Sequence, residues 1–394
     1  MTKREVVVVS AVRTGVGDFG GALKDIPPCD LAALVIKESL GRSKADPARV
    51  GHVFFGHVIN TEPRDMYLSR VAAINGGLPQ EVAAANVNRL CGSGLQAIVS
   101  AAQSILLGDT EAAVGGGAES MSRSPYTLPS NRWGARMGDS KVIDMMVGAL
   151  SDPFDAVHMG VTAENVAARY EISRQAQDEL AVLSHQRASR AWKEGRFASQ
   201  IVPVETTVKR KPFMFAADEH VRDDVTVEGL KGLRTVFQKD GSVTAANASG
   251  INDGAAAVVL MEAAEAARQG LKPLARLVSY GHAGVEPLYM GIGPVPASRI
   301  ALKRAGLKVS DMDVIEANEA FAAQACAVAK ELDFDPEKVN PNGSGISIGH
   351  PVGATGAIIT TKAIHELQRT GGRYALVTMC IGGGQGIAAV FERA

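Results

Sequence analysis

Two widely separated segments of the chain repeat one order of features. The first reads Cys91-Gly-Ser-Gly, a helix-like stretch, Gly108-Asp109, a strand-like run, then Gly115-Gly116-Gly117. The second reads His350-Pro-Val-Gly, a helix-like stretch, Gly371-Gly372, a strand-like run, then Gly382-Gly383-Gly384. Recurrence of element order and loop glycines is the mark of a duplicated unit. It predicts two similar α/β halves, residues 1–120 and 271–394, with 251–270 completing the first. Residues 121–250 have a different texture, with Trp133, Met137, Met145, Met146 and a Lys209-Arg210-Lys211 cluster. They read as a loop-rich insertion, the kind of segment that carries binding function on a rigid scaffold.

Hydrophobic periodicity agrees with this division. Strands are expected at Val6–Ser10, Val50–Phe55, Ala112–Gly115, Ala275–Tyr280, Asp313–Glu316 and Tyr374–Met379. Helices are expected at Leu31–Leu40, Ser93–Leu107, Ala163–Tyr170, Ser298–Ala305, Glu319–Glu331 and Ala354–Leu367. A long helix is expected over Ser173–Lys193, with Ser173 as its N-cap. Strands alternating with helices point to sheets buried between helical layers.

The chain of 394 residues is 46% apolar and 21% charged, enough to bury a large core. A net charge of −1 with no long basic run makes nucleic acid and anionic membrane poor candidates as partners. No apolar run is expected to reach the roughly 18–20 residues of a membrane span. The N-terminal apolar run is interrupted by Arg13 and makes a poor signal peptide, and Phe391–Ala394 carries no recognisable address. The cytoplasm is therefore the expected compartment. Four cysteines, Cys29, Cys91, Cys326 and Cys380, are too few for a disulfide framework and show no C-x-x-C spacing. Each is either a small buried hydrophobe or a chemical tool.

Candidate chemistry gathers at strand ends. Cys91, in Asn88-Arg89-Leu90-Cys91-Gly92-Ser93-Gly94, stands just before a helix, whose unpaired N–H groups favour a thiolate. A buried cysteine packed at a helix start explains the same pattern. His350 opens the matching turn of the second half, where its imidazole is expected to point into a cleft; a plain turn histidine is the alternative. Cys380 follows the last strand-like run, and Asn318 follows another, where it could equally be an N-cap. No G-x-G-x-x-G follows a leading strand and no G-x-x-x-x-G-K-[ST] is present, so the glycines do not mark a phosphate loop.

Taken together, these strings resemble the thiolase family along essentially the whole chain. Asn88–Ala97 looks like its nucleophile motif, Asn318-Glu319-Ala320-Phe321-Ala322 its Asn-Glu-Ala-Phe box, Gly349–Gly356 its His box and Cys380–Gly386 its Cys-x-Gly-Gly-Gly box. Gly115–Ser122 and Ala246–Gly254 also match. The resemblance implies a thiolase fold of duplicated αβαβα layered halves. It implies that Cys91 carries the acyl group, His350 activates it, Asn318 holds a water beside His350, and Cys380 moves the α-carbon proton. It further implies an oxyanion hole made by the N–H groups of Cys91 and Gly382. His158, Met159, Arg222, Ser249, Met290 and Phe321 match positions that line coenzyme A in relatives; Arg222 could instead be a solvated loop residue. The implied substrates are acetyl-CoA, other acyl-CoA and CoA, with no permanently bound cofactor and no metal. Pro125–Arg136 corresponds to a loop that joins dimers into a homotetramer. The likeness is greatest to bacterial biosynthetic β-ketothiolases of polyhydroxyalkanoate and short-chain acyl metabolism.

One segment departs from the family habit: Glu62–Leu68 replaces a polar Gln-Asn-Pro-Ala-Arg stretch. It is expected near the dimer seam and close to Cys91, where it would admit acyl chains longer than acetyl. Cys91 and Cys380 are expected to face one another across the cleft and, provided their Cα atoms lie within disulfide reach, to join and silence the enzyme if oxidised. The competing readings are a condensing enzyme of the ketoacyl synthase kind, which Cys380 argues against, and a non-catalytic acyl-CoA-binding protein, which the intact boxes argue against.

Overall fold

The repeat in the sequence becomes a repeat of strand order. The structure, a computed structural model, describes residues 4–394. Nine strands lie on one path: β1 (Val6–Thr14), β2 (Val50–Gly56), β3 (Ala83–Val87), β4 (Ala112–Ser120), β5 (Asn252–Glu262), β6 (Ala275–Gly284), β7 (Val314–Ala317), β8 (Tyr374–Ile381) and β9 (Gln385–Arg393). Their order is β7-β8-β9-β6-β1-β5-β4-β2-β3. Outward from the centre, one side reads β1-β5-β4-β2 and the other β6-β9-β8-β7. On each side the outer pair is parallel and the inner pairs antiparallel. Even the irregularities recur: a bulge falls at Val8/Ser10 in β1 and at Leu277/Ser279 in β6. Within the sheet the two sides meet at the Cα pairs Val7↔Arg276 and Val8↔Ala275.

Seven helices matter for the site: α1 (Pro28–Ser43), α2 (Ser93–Leu107), α3 (Met159–Arg169), α4 (Arg174–Lys193), α5 (Pro294–Ala305), α6 (Ala322–Leu332) and α7 (Thr355–Thr370). Side chains alternate across a strand, so β1 sends Val6, Val8 and Ala11 to one core and Val7, Val9 and Val12 to another. The second of these cores holds Leu31, Val35 and Ile36 of α1. A third core, on the far side, packs Val295 and Ala301 of α5 against Leu376 and Val390. Between the sheets lie α2 and α7, which contribute Leu95, Ile98 and Ile105, and Ile358 and Ile364, to the central core. Each such fully buried side chain stabilises the fold by roughly 1.5–3 kcal/mol. The result is five layers, helix-sheet-helix-sheet-helix.

The two central helices touch backbone to backbone. A Cβ on Gly356 would sit 2.3 Å from the Leu95 nitrogen, and one on Gly94 would sit 2.7 Å from that of Ala357. Only residues without a side chain permit this approach. It brings the N-terminal ends of α2 and α7, and with them Cys91 and His350, to one place.

The expected helix over Ser93–Leu107 forms with those bounds, and Ser173 caps α4 by accepting from the Ala176 N–H at 3.1 Å. Two expectations need correction. The helix expected from Glu319 starts at Ala322 with Phe321 as its N-cap, so Asn318 is not a cap. One window, Leu90–Leu107, does reach the length and hydropathy (1.4) of a membrane span. It is 67% buried because α2 is sandwiched between sheets, which demands the same apolar composition as lipid. The Lys209–Lys211 cluster is the turn of a hairpin, Val204–Val208 with Lys211–Phe215, and Lys209 and Arg210 are left-handed at φ 49° and 64°.

Candidate active site

The loop ahead of α2 is built by its own side chains. Asn88 Oδ1 accepts from the Leu90 N–H at 3.0 Å. The Ser93 hydroxyl accepts from the Arg89 N–H at 2.8 Å and donates to the Leu90 carbonyl at 2.6 Å. Leu90 is thereby held at φ 45°, a conformation bulky residues rarely adopt. The turn presents Cys91, directly before the N-cap Gly92, to a cavity of about 430 Å³.

Eight of the eleven candidate residues line this one cavity: Cys91, His158, Met159, Ser249, Met290, Phe321, His350 and Gly382. Three do not. Cys380 is fully buried behind the wall, in the cluster of Met159, Met290 and Phe321. Burial, and after it the nearby Cys91 sulfur, raise its thiol. Asn318 is buried beside His350, with its Nδ2 3.5 Å from Nε2 of that ring and its Oδ1 unpartnered. Arg222 stands apart, half exposed, with Nη2 3.8 Å from Asp18.

The segment Glu62–Leu68 does not contribute to the cavity wall of the single chain. It forms a short turn of 3₁₀ helix over Pro63–Tyr67 that buries Asp65 under the N–H groups of Thr61 and Glu62. Sequence reading missed Phe237, which stacks on His158 at 4.7 Å and meets Phe321 edge-on at 6.2 Å. A lone aromatic in the polar stretch Arg234–Lys239 gave little signal; its partners are distant in sequence.

Proton positions follow from the contacts. Burial pushes the Cys91 thiol up to about 11, against the opposing pull of the Gly382 N–H and its own N–H, both bonded to the sulfur. The expected lowering by the helix N-terminus is therefore outweighed: loss of water costs the thiolate more than a partial charge of about +0.5 returns. Burial likewise holds His350 down at about 4. At neutral pH the pair is a thiol and a neutral imidazole. Nδ1 of that imidazole is 2.6 Å from the Thr355 hydroxyl, whose own proton goes to the Pro351 carbonyl at 2.9 Å. Nδ1 must then carry the hydrogen, and Nε2 is left with a lone pair. His158 takes the opposite form, since its Nδ1 accepts from the Gly160 N–H at 3.0 Å.

A thiol with N–H donors on its sulfur and a neutral base in the same cavity suits acyl transfer. Comparison with known proteins decides which kind. Residues 6–264 match the family model described as Thiolase, N-terminal domain, and residues 271–393 match Thiolase, C-terminal domain. The chain belongs to the thiolase family.

This thiolase is 69% identical, over 391 residues and 99% of both chains, to the beta-ketothiolase BktB of Cupriavidus necator. It is 50% identical to the acetyl-CoA acetyltransferase of the same organism, again over 391 residues and 99% of both chains. The crystal structure of human mitochondrial 3-ketoacyl-CoA thiolase matches it with a TM-score of 0.98 at 43% identity, over 100% of each chain. The five layers are the thiolase fold, and the protein is an acyltransferase of the thiolase kind. Its reaction is the reversible Claisen condensation of acyl thioesters and the reverse thiolysis.

Proposed function

We propose that this thiolase condenses acetyl-CoA with acetyl-CoA or a short-chain acyl-CoA, through an acyl group held on Cys91. The observation that carries this reading is the meeting, in one cavity, of the Cys91 thiol, the Gly382 N–H on its sulfur and His350 with a free Nε2 lone pair. In the proposed sequence Nε2 takes the thiol proton as Cys91 attacks the thioester carbonyl. The proton then leaves with the CoA thiol. Cys380, as the thiolate, takes a proton from the α-carbon of acetyl-CoA; that carbon attacks the Cys91 acyl group, the Cys91–acyl bond breaks to release 3-ketoacyl-CoA, and the Cys91 thiolate takes up the proton that Cys380 gained. The N–H groups of Cys91 and Gly382 are assigned the negative oxygen on the acyl carbon. The 3.5 Å gap between Asn318 Nδ2 and His350 Nε2 leaves both free to turn to a second oxygen, through a shared water.

Coenzyme A enters and leaves as substrate. His158, Met159, Ser249, Met290 and Phe321 are assigned to its pantetheine arm or acyl end, and Arg222, outside the cavity, to its nucleotide end. Acyl chains somewhat longer than acetyl are assigned to the same cavity of about 430 Å³, which Leu90, Met121, Leu150 and Val352 line beside the catalytic groups. Assembly into a homotetramer through Pro125–Arg136 is supported by the exposure of Trp133 (86%) just within it and Met137 (97%) beside it. A cytoplasmic setting is supported by the free state of all four cysteines.

The test is thiolysis of 3-ketoacyl-CoA of increasing chain length, followed by loss of ketoacyl absorbance, with Cys91→Ala alongside. Turnover that vanishes in the variant supports the assignment. A folded wild-type protein that cleaves no length contradicts it.

A further inference from the structure

Cys91 and His350 come from opposite halves, so their separation depends on what ties the histidine loop to the strands of the first half. Two buried side chains do this, one at each end of Gly349–Gly353. The His350 N–H donates to Asn252 Oδ1 at 2.8 Å, and the Gly353 N–H donates to Glu119 Oε2 at 2.9 Å. Asn252 begins β5 and Glu119 lies near the end of β4; the neighbouring pairs are Asp253↔Ser120 and Gly254↔Glu119. Both side chains are wholly buried.

Their other bonds all go to the first half. Asn252 Nδ2 donates to the Gly17 carbonyl at 3.1 Å and to Asp18 Oδ1 at 3.3 Å. Glu119 accepts from the N–H groups of Val58 at 3.0 Å and Ile59 at 3.1 Å. The glycines of the loop make room for these contacts. Gly349 has φ 112° and a Cβ there would lie 2.6 Å from the Asn252 amide carbon; a Cβ on Gly353 would lie 2.4 Å from Glu119 Oε2.

We infer that Asn252 and Glu119 are positioning residues, which grip the histidine loop at both ends and fix Nε2 of His350 against the Cys91 sulfur. The inference rests on the reading of His350 as the base for Cys91. A fixed pair of rigid bonds matters because misplacing a catalytic group by about 1 Å costs about 100-fold in rate.

The experiment compares full-length Asn252→Ala, Asn252→Asp, Glu119→Met and His350→Ala with the wild type. It reads kcat and KM for thiolysis of acetoacetyl-CoA and the rate at which iodoacetamide alkylates Cys91, with circular dichroism as the check on folding. Asn252→Ala is expected to lower kcat about 100-fold while KM stays within about two-fold, and to slow alkylation toward the His350→Ala rate. Asn252→Asp, which keeps the acceptor for the His350 N–H, recovers part of the loss. Glu119→Met, of similar size, lowers kcat about 10-fold because it offers no acceptor to the Gly353 N–H or to those of Val58 and Ile59. It decides the matter alone if Asn252→Ala does not fold. Wild-type kcat and alkylation in either folded variant overturn the inference. Wild-type activity in His350→Ala instead overturns the reading of the base.

Discussion

Thr355 fixes the tautomer of His350: its hydroxyl, 2.6 Å from Nδ1, has given its only proton to the Pro351 carbonyl and can only accept from the ring. Thr355→Val keeps the shape and removes that acceptor, leaving a buried N–H unpaired at a cost of about 1–3 kcal/mol. The ring is then free to carry its proton on Nε2, the wrong place for a base. A fall in kcat of about 10- to 100-fold is expected, with recovery in Thr355→Ser. Steady-state thiolysis checks it, and an unchanged kcat in folded Thr355→Val would remove the tautomer argument.

The contact between α2 and α7 predicts opposite outcomes for two glycines. Gly356→Ala drives a methyl into the Leu95 backbone and is expected to destabilise by about 3 kcal/mol or more, since neither helix can yield. Gly41→Ala, inside α1 with nothing near its Cβ, is expected to stabilise by about 0.5–1 kcal/mol. Chemical denaturation of the two variants measures both.

Phe237 is expected to act on binding, since it lines the cavity against His158 and Phe321 and carries no group that can move a proton. Phe237→Ala should raise KM for acyl-CoA about 10-fold through lost stacking area, with kcat reduced less. Alkylation of Cys91 by iodoacetamide should proceed at the wild-type rate. A large drop in kcat at constant KM would place Phe237 in the chemistry instead.

Acid should weaken the fold partly through His185. Burial, then the charges of His220 and Arg222, holds it at about 4, against an ordinary value of 6.5. Below pH 6.5 the unfolded chain takes a proton that the folded protein refuses, so stability present above that pH is lost as pH falls toward 4. The loss attributable to this residue is on the order of 3 kcal/mol. His185→Gln retains an acceptor for the Arg222 N–H that His185 now binds at 3.1 Å. Its stability should approach or pass that of the wild type between pH 7 and pH 4.5; parallel pH curves would show that His185 contributes nothing.

The parts of the site that sequence revealed are those written as contiguous strings. Cys91 and His350 stand in glycine-rich turns before helices, and the duplication announced that those turns belong together. The strands β1 and β8 were legible because both are rich in apolar residues and buried on both faces, although each runs beyond its expected end, to Thr14 and to Ile381. What sequence could not reveal was burial. It gave Cys91 a helix terminus and hence a low pKa, but not the surrounding apolar mass that raises it. It put Cys380 at a strand end near a cleft, but not behind Met159, Met290 and Phe321 of the cavity wall, where burial raises its thiol as well. Phe237, Asn252 and Glu119 act through partners 70 or more positions away, a relation no local pattern records.

The most direct test of the whole account is intact-mass spectrometry after brief mixing of the protein with acetyl-CoA, followed by peptide mapping. The account predicts one acetyl group per chain, carried on the Cys91 peptide, lost when free CoA is added and absent from Cys91→Ala. Acetylation that persists in Cys91→Ala, or that maps to another residue and is discharged by CoA, would contradict it.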